Sequence, residues 1–238
     1  MAVVIVHHLG LGDQLMLCGM VRYLLQKQKI EIIAKVNQKD TLEFMYKDCL
    51  DKLKINYVNT TDPREVWGIC QGKQVLPLAT YAMNDDLWKA FTMSQTPVTN
   101  WALSVYVQAK VNPHYMRSKF KVIRDHYAED RVYRKYYKGE PYIFVHDEGS
   151  VKTPHLNLKT DLQIIRPSFE ETNVFDYLKL IENAEEVHCI NSSFVWLVEL
   201  TKVRDNKKGN FYHYNVTHTY YNYHYNVTVF SDDLWEFV

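Results

Sequence analysis

The sequence predicts an α/β protein of two Rossmann-like lobes facing a cleft, the first over residues 1–138 and the second over residues 139–238. Three observations predict it. Val3 to Val6 is a short β-branched run that ends in a turn with two glycines and leads into a helical repeat of apolar residues. A second alternation of strand and helix patterns begins after Gly139-Glu140-Pro141. In both halves a polar loop falls at the carboxyl end of a strand, where open α/β sheets bind their ligands.

The first lobe reads as follows. Val3 to Val6 is a buried parallel strand. His7-His8-Leu9-Gly10-Leu11-Gly12-Asp13 is the turn, and Leu17, Met20, Val21, Leu24 and Leu25 place a helix up to about Gln28. Ile30 to Val36 is the next strand, which completes a βαβ unit. Thr41 to Leu53 is expected as a helix and Ile55 to Val58 as a strand. From Asp62 to Thr99, Pro63, Pro77 and Pro97 break the pattern into short pieces of no assigned order. Arg124 to Lys138 is expected as a helix with a solvated face.

In the second lobe, Tyr142 to Val145 is a strand that ends in His146-Asp147-Glu148-Gly149, and Leu162 to Ile165 a strand that ends in Arg166-Pro167. Asn173 is a helix cap, with Val174, Tyr177, Leu178 and Ile181 along one face. Val187 to Ile190 is a strand followed by Asn191-Ser192-Ser193-Phe194 and a helix. Phe211 to Val216 and Tyr225 to Phe230 are expected as late strands, and Asp232 to Val238 as a terminal helix.

Composition removes several functions. The 238 residues carry 28 basic and 28 acidic side chains, a formal net charge of zero, so there is no overall pull toward nucleic acid or an anionic surface. With 47% hydrophobic and 24% charged residues the chain has the balance of a folded domain rather than a disordered one. No apolar window is long enough to span a membrane, and the apolar opening lacks the length and basic start of a signal peptide. Cys18, Cys49, Cys70 and Cys189 form no paired motif and read as reduced buried thiols, which points to a soluble, cytoplasmic protein. The motifs G-x-x-x-x-G-K-[ST], H-E-x-x-H and G-x-S-x-G do not occur. Nor does a D-x-D triplet, so a mechanism without a metal or other cofactor is expected.

Three loops are left as places for chemistry. Gly10 and Gly12 offer positive φ and close approach to the backbone, with Asp13 at the start of a helix, as a cap or as a site carboxylate. Ser192 and Ser193, with Asn191 before and Phe194 after them, open a helix whose free N–H groups suit an anion, although capping alone also explains a serine pair. His146 directly follows a strand and suits a phosphate or a hydroxyl, or is a core histidine. The planar fork of Arg166 matches phosphate oxygens, unless it is merely exposed.

These segments resemble glycosyltransferases of the GT-B type. HHLGLGDQLMLCGMVRYL resembles the GGLGNQ-type first motif of the α-1,2/α-1,6-fucosyltransferase superfamily, and Leu11-Gly12-Asp13 the N-terminal motif of heptosyltransferases. YIFVHDEGS occupies the place of the fucosyltransferase H-x-R-R-G-D motif, and CINSSFVWLVEL is similar to the late S-N-S-T-F-S-W-W segment. The chain looks like a compact viral or bacterial member. The resemblance implies sugar transfer from a nucleotide-sugar donor to a glycan or other hydroxyl acceptor, with inversion. It implies Asp13 as the base, with His8 as its competitor. Asn191, Ser192, Ser193 and Arg166 are implied for the diphosphate, with Gly10, Gly12 and Phe194 beside the donor and His146 and His188 on the nucleotide side. Asp147 and Glu148 stand where the fucosyltransferase motif has arginines, so neutralisation falls to Arg166 and the helix start. A binding module without catalysis, or a hydrolase or phosphatase using His146-Asp147-Glu148, is the alternative. The tyrosine-rich tail from Phe211 to Tyr225 is expected to pack beneath the final helix, or else to stack on a sugar acceptor.

Overall fold

The structure is a computed structural model, described here for residues 2–7, 9–59, 63–78, 101–149, 155–167, 173–190, 192–201, 203, 210–214 and 235–237. The chain divides into two compact units, Met1–Val122 and Ile123–Val238. Each is an α/β unit built on one parallel sheet.

In the first unit β1 (Val3–His7), β2 (Ile30–Lys35), β3 (Leu53–Val58) and β4 (Gln74–Leu78) form a four-stranded sheet in the order β3-β2-β1-β4. All three pairings are parallel, with Ile5 opposite both Ile32 and Leu76. Strand alternation sends Val4 and Val6 to one face, where they pack with Ile33, Val58 and with Val66 and Cys70 of helix Pro63–Cys70. Val3 and Ile5 point the other way and are equally buried.

Helix α1 (Leu11–Leu25) follows β1, as the periodicity predicts, but is buried almost all round: Leu15 to Cys18, Met20 and Val21 are each 1% exposed or less. Its outer side is taken by α4 (Trp101–Gln108) and α5 (Tyr115–Ser118), with α2 (Lys39–Met45) and α3 (Pro63–Cys70) coming earlier in the chain. The Tyr106 hydroxyl accepts from the Met20 N–H at 3.0 Å and donates to the Met16 carbonyl at 2.9 Å. It thus joins the same two backbone groups that the helical i→i−4 bond joins. Beside it, a Cβ on Gly19 would lie 2.0 Å from the Tyr115 carbonyl oxygen, so only glycine lets the two backbones meet.

Three expectations change here. The helix expected over Thr41–Leu53 is the shorter α2, followed by turns to Lys52. Arg22 ends it by donating Nη2 to the Met45 carbonyl at 2.8 Å while pairing with Asp48 at 2.8 Å. The unordered stretch from Asp62 holds α3 and β4, and residues 79–100 lie outside the described ones. Helix α6 (His126–Tyr136), expected with the first half, packs inside the second unit. Arg124 holds it there by bridging Glu129 and Glu182, and Lys179 pairs with Asp130.

In the second unit β5 (Tyr142–His146), β6 (Gln163–Ile165), β7 (Glu186–Ile190), β8 (Asn210–Tyr214) and β9 (Trp235–Phe237) form a parallel sheet in the order β6-β5-β7-β8-β9. Asn173 caps a 3-10 turn, accepting from the Phe175 N–H at 2.8 Å, and α7 (Leu178–Glu182) continues it. The Tyr142 hydroxyl donates to the Leu180 carbonyl at 2.6 Å. Helix α8 (Ser193–Leu200) lays Phe194 against Phe144 at 5.7 Å and edge-on to Tyr177 at 6.1 Å.

The expected terminal helix Asp232–Val238 is overturned: Trp235–Phe237 is a strand, paired in parallel with Phe211–His213. Three residues are too few for helical spacing to be told from alternation, and the open edge of β8 offers backbone partners. The tail therefore has no terminal helix over 235–237 to pack beneath. The strand expected at Tyr225–Phe230 lies outside the described residues. Part of the tyrosine excess is core: Tyr46, Tyr106, Tyr142 and Tyr177 are among the largest fully buried side chains.

Candidate functional site

In the first unit the polar turn leaves the carboxyl end of β1, the second strand from the edge. His7 and Leu9 are buried, and His8 lies outside the described residues. Gly10 is the N-cap of α1, with φ −76° and ψ 146°, and contributes no side-chain cap. The expected positive φ at Gly10 is therefore not found. A Cβ there would stand 2.7 Å from Asp13 Oδ2, the end of a flexible side chain, and so would displace that carboxylate rather than the backbone. Gly12 lies inside the first turn of α1, in helical rather than left-handed backbone. Asp13 is in that same turn, half-buried, with its carboxylate folded back over Gly10.

Two buried amides hold this turn. Gln14 donates Nε2 to the Ile33 carbonyl at 2.9 Å, and Gln38 donates Nε2 to the Leu9 carbonyl at 2.8 Å. Neither is read as a site residue from sequence. A glutamine among the apolar residues of α1, 1% exposed, is the signal that marks the first.

In the second unit the polar groups gather at the carboxyl ends of the adjacent strands β6, β5 and β7. His146 ends β5, is 6% exposed, and stacks on Phe194 of α8 with ring centroids 4.3 Å apart. Burial pushes its pKa down to about 4 against the pull of the Asp147 charge, so near neutral pH it is an uncharged imidazole. Asp147 is 2% exposed. Its Oδ2 accepts from Arg166 Nε at 3.0 Å and from the Leu156 N–H at 2.8 Å, while Arg166 Nη2 donates to the Leu156 carbonyl at 2.7 Å. Asp147, Arg166 and the backbone of Leu156 thus close a ring. Arg166 Nη1 is the part of the fork that no described residue engages.

Ser192 is the N-cap of α8, its Oγ accepting from the Phe194 N–H at 3.3 Å. Ser193 is the first helical residue, and Asn191 lies outside the described residues. His188 stands apart from this group, in the middle of β7. Its Nε2 faces Glu186 Oε2 at 2.8 Å, its Nδ1 faces the Tyr214 hydroxyl at 2.9 Å, and its ring stacks on Tyr212 at 4.6 Å. Both nitrogens are engaged within the sheet, which makes His188 part of the frame. Glu186 and Tyr214, which hold it, carry no sequence signal as a pair.

The structure therefore brings His146 to Phe194 and Asp147 to Arg166. Among the described residues no group of three or more His, Cys, Asp or Glu side chains is placed to hold a metal ion. Burial raises the thiol pKa of all four cysteines, away from reactive thiolates.

No protein-family model matches the chain, and no curated protein does. Solved structures do. A glycosyl transferase family 9 protein from Veillonella parvula DSM 2008 matches at a TM-score of 0.58 and 10% identity, over 100% of this chain and 86% of that one. E. coli ADP-heptose LPS heptosyltransferase II matches at a TM-score of 0.49 and 9% identity, over 100% and 90%. E. coli heptosyltransferase WaaC with ADP matches at 0.40 and 9%, over 92% and 88%. At these identities the first likeness is one of fold: two α/β units with parallel sheets.

Proposed function

We propose that the chain is a GT-B type glycosyltransferase that moves a sugar from a nucleotide-sugar donor to a hydroxyl acceptor in the cytoplasm, with inversion and without a metal. The observation that carries this reading is a fold likeness to a glycosyl transferase family 9 structure that spans this whole chain. The Asp13 carboxylate at the first turn after β1 supports it further, because transfer needs a base there.

In this reading Asp13 takes the proton of the acceptor hydroxyl as its oxygen bonds to the anomeric carbon, with His8 as the competing base. The bond from that carbon to the diphosphate breaks, and the diphosphate leaves with the electron pair. The acceptor belongs to the first unit and the donor to the second. There the N–H groups at the start of α8, the Ser193 hydroxyl and Arg166 Nη1 meet the departing charge. Neutral His146 hydrogen-bonds the donor without adding charge. His188, held by Glu186 and Tyr214, acts only by supporting the sheet.

A panel of nucleotide sugars in a thermal-shift assay tests the reading. One of them should raise the melting temperature by a few degrees and be slowly hydrolysed without an acceptor. Stabilisation without hydrolysis or transfer would leave a binding module. Stabilisation by none would remove both.

A further inference from the structure

Gln38 is a costly residue for the fold alone. It ends the 3-10 turn Val36–Gln38 that follows β2, and it is 7% exposed where its neighbours Val36, Asn37 and Lys39 are open to solvent. It is the N-cap of α2, yet its side chain makes no cap hydrogen bond there. The amide turns inward instead and donates Nε2 to the Leu9 carbonyl at 2.8 Å. Its Oε1 is buried and accepts no hydrogen bond from a described residue. A neutral hydrogen bond returns less to stability than a stranded buried oxygen costs, so stability does not explain a glutamine at this position.

What the bond governs is the polar turn after β1. The Leu9 carbonyl belongs to the planar peptide that enters Gly10, so holding it fixes the plane from which Gly10 departs. Gly10 itself has no side chain to restrict its torsions. On its other side the Gly10 carbonyl accepts from the Gln14 N–H at 3.1 Å, and Gln14 is tied to Ile33 of β2. Gly10 is thus held at the peptide before it and the peptide after it. The Asp13 carboxylate lies over it, with Oδ2 2.7 Å from where a Cβ would stand. A rotation of the Leu9 peptide therefore moves the surface on which that carboxylate rests.

We propose that Gln38 is a positioning residue for the transfer reaction: through the Leu9 carbonyl and Gly10 it sets the direction of the Asp13 carboxylate. The inference rests on the reading of Asp13 as the base. A base takes a hydroxyl proton from hydrogen-bond distance, and a displacement of about 1 Å costs about 100-fold in rate. Donor binding belongs to the second unit in that reading and does not depend on Gln38.

Gln38→Met in the full chain tests this, because it keeps the length of the side chain and removes the amide. One stranded oxygen replaces another, so the melting temperature should stay within about 3 °C of wild type. Turnover should fall about 100-fold, with donor affinity and acceptor KM near wild type. Gly10→Ala displaces the same carboxylate from beneath, and adding it to Gln38→Met should cost little further rate. A second readout needs no turnover. With aspartate labelled at its carboxyl carbon, the Asp13 resonance, assigned by its loss in Asp13→Asn, should shift in Gln38→Met. An unmoved resonance, turnover near wild type, additive losses in the double variant, or early melting of Gln38→Met overturns the proposal. If the wild type transfers no sugar, the reading of Asp13 as base fails. The resonance alone then decides whether Gln38 places the carboxylate.

Discussion

The carboxyl end of the first sheet and that of the second are both polar, but they are held by opposite means. After β1 the turn is fixed by neutral amides reaching backbone carbonyls, Gln14 to Ile33 and Gln38 to Leu9. After β5 the fixing is done by charges: Asp147 and Arg166 close on each other and on Leu156. The difference teaches that a charged side chain at a strand end is not thereby a ligand group. Where another charge reaches it and both hold the backbone, it belongs to the frame. Asp13, the start of α8 and Arg166 Nη1, the one arm of the fork that the ring leaves open, are then the places at which chemistry is to be sought.

The largest effect should come from the first sheet end. Asp13→Asn should lower turnover about 100- to 10,000-fold, the range of a general base, while donor affinity measured by calorimetry stays near wild type. Turnover close to wild type would remove Asp13 from that role. The second effect belongs to the ring. Asp147→Ala strands Arg166 and the part-buried Leu156 N–H, and urea denaturation should show a loss of about 3 kcal/mol, near the lower end for a broken buried pair because Arg166 is partly solvated. Arg166→Ala should cost a similar amount, and the double variant less than the sum. Additive losses would mean that the two residues act separately and that the contrast between the sheet ends is false.

A third test uses pH, because the two units should weaken in different windows. Folded His146 titrates at about 4, below its ordinary 6.5, so between these values the unfolded chain binds a proton that the folded chain does not. Stability from this group is therefore lost as pH falls from about 6.5 to about 4, by about 3 kcal/mol in all, and is unchanged below. In the first unit Arg22 and then Lys121 hold the Asp48 carboxyl well below the carboxylate range. That contribution stays intact above its ordinary value and is lost only on further acidification. Amide exchange compared at about pH 7 and about pH 5 should show opening of β5 and α8 with β1 and α1 unaffected, and His146→Gln should flatten the difference. Equal loss in both units would end the distinction.

What the sequence disclosed follows the same physical divide. The strands β1, β5 and β7 are legible because parallel strands buried on both faces are runs of apolar residues, and α1 because a glycine turn precedes a helical repeat. The strands that escaped lie at sheet edges. Strand β4 contains Pro77, which an edge tolerates because its missing N–H need not serve a ladder on both sides, and β9 is three residues long. At the site, the positions of His146, Arg166 and Ser192 were readable as strand ends. Their partners were not. Arg166 meets Asp147 across nineteen residues, Gln38 meets Leu9 across twenty-nine, and neither separation leaves a period in the sequence.

The smallest effect asks whether the division between frame and ligand group holds between two adjacent residues. The Ser192 Oγ accepts the Phe194 N–H at 3.3 Å, at the long end of hydrogen-bond lengths, so Ser192→Ala should cost about 1 kcal/mol of stability or less. Ser193 is the first residue of α8 and makes no side-chain hydrogen bond with a described residue. Ser193→Ala should therefore leave stability within about 0.5 kcal/mol of wild type. If its hydroxyl meets the donor diphosphate, the same change should weaken donor binding about tenfold, the size of one hydrogen bond to a charged group. The two variants should thus move different observables. If Ser192→Ala weakens donor binding as much as Ser193→Ala while stability stays put, the cap itself is a ligand group. The frame of the second unit would then reach no further than the ring of Asp147, Arg166 and Leu156.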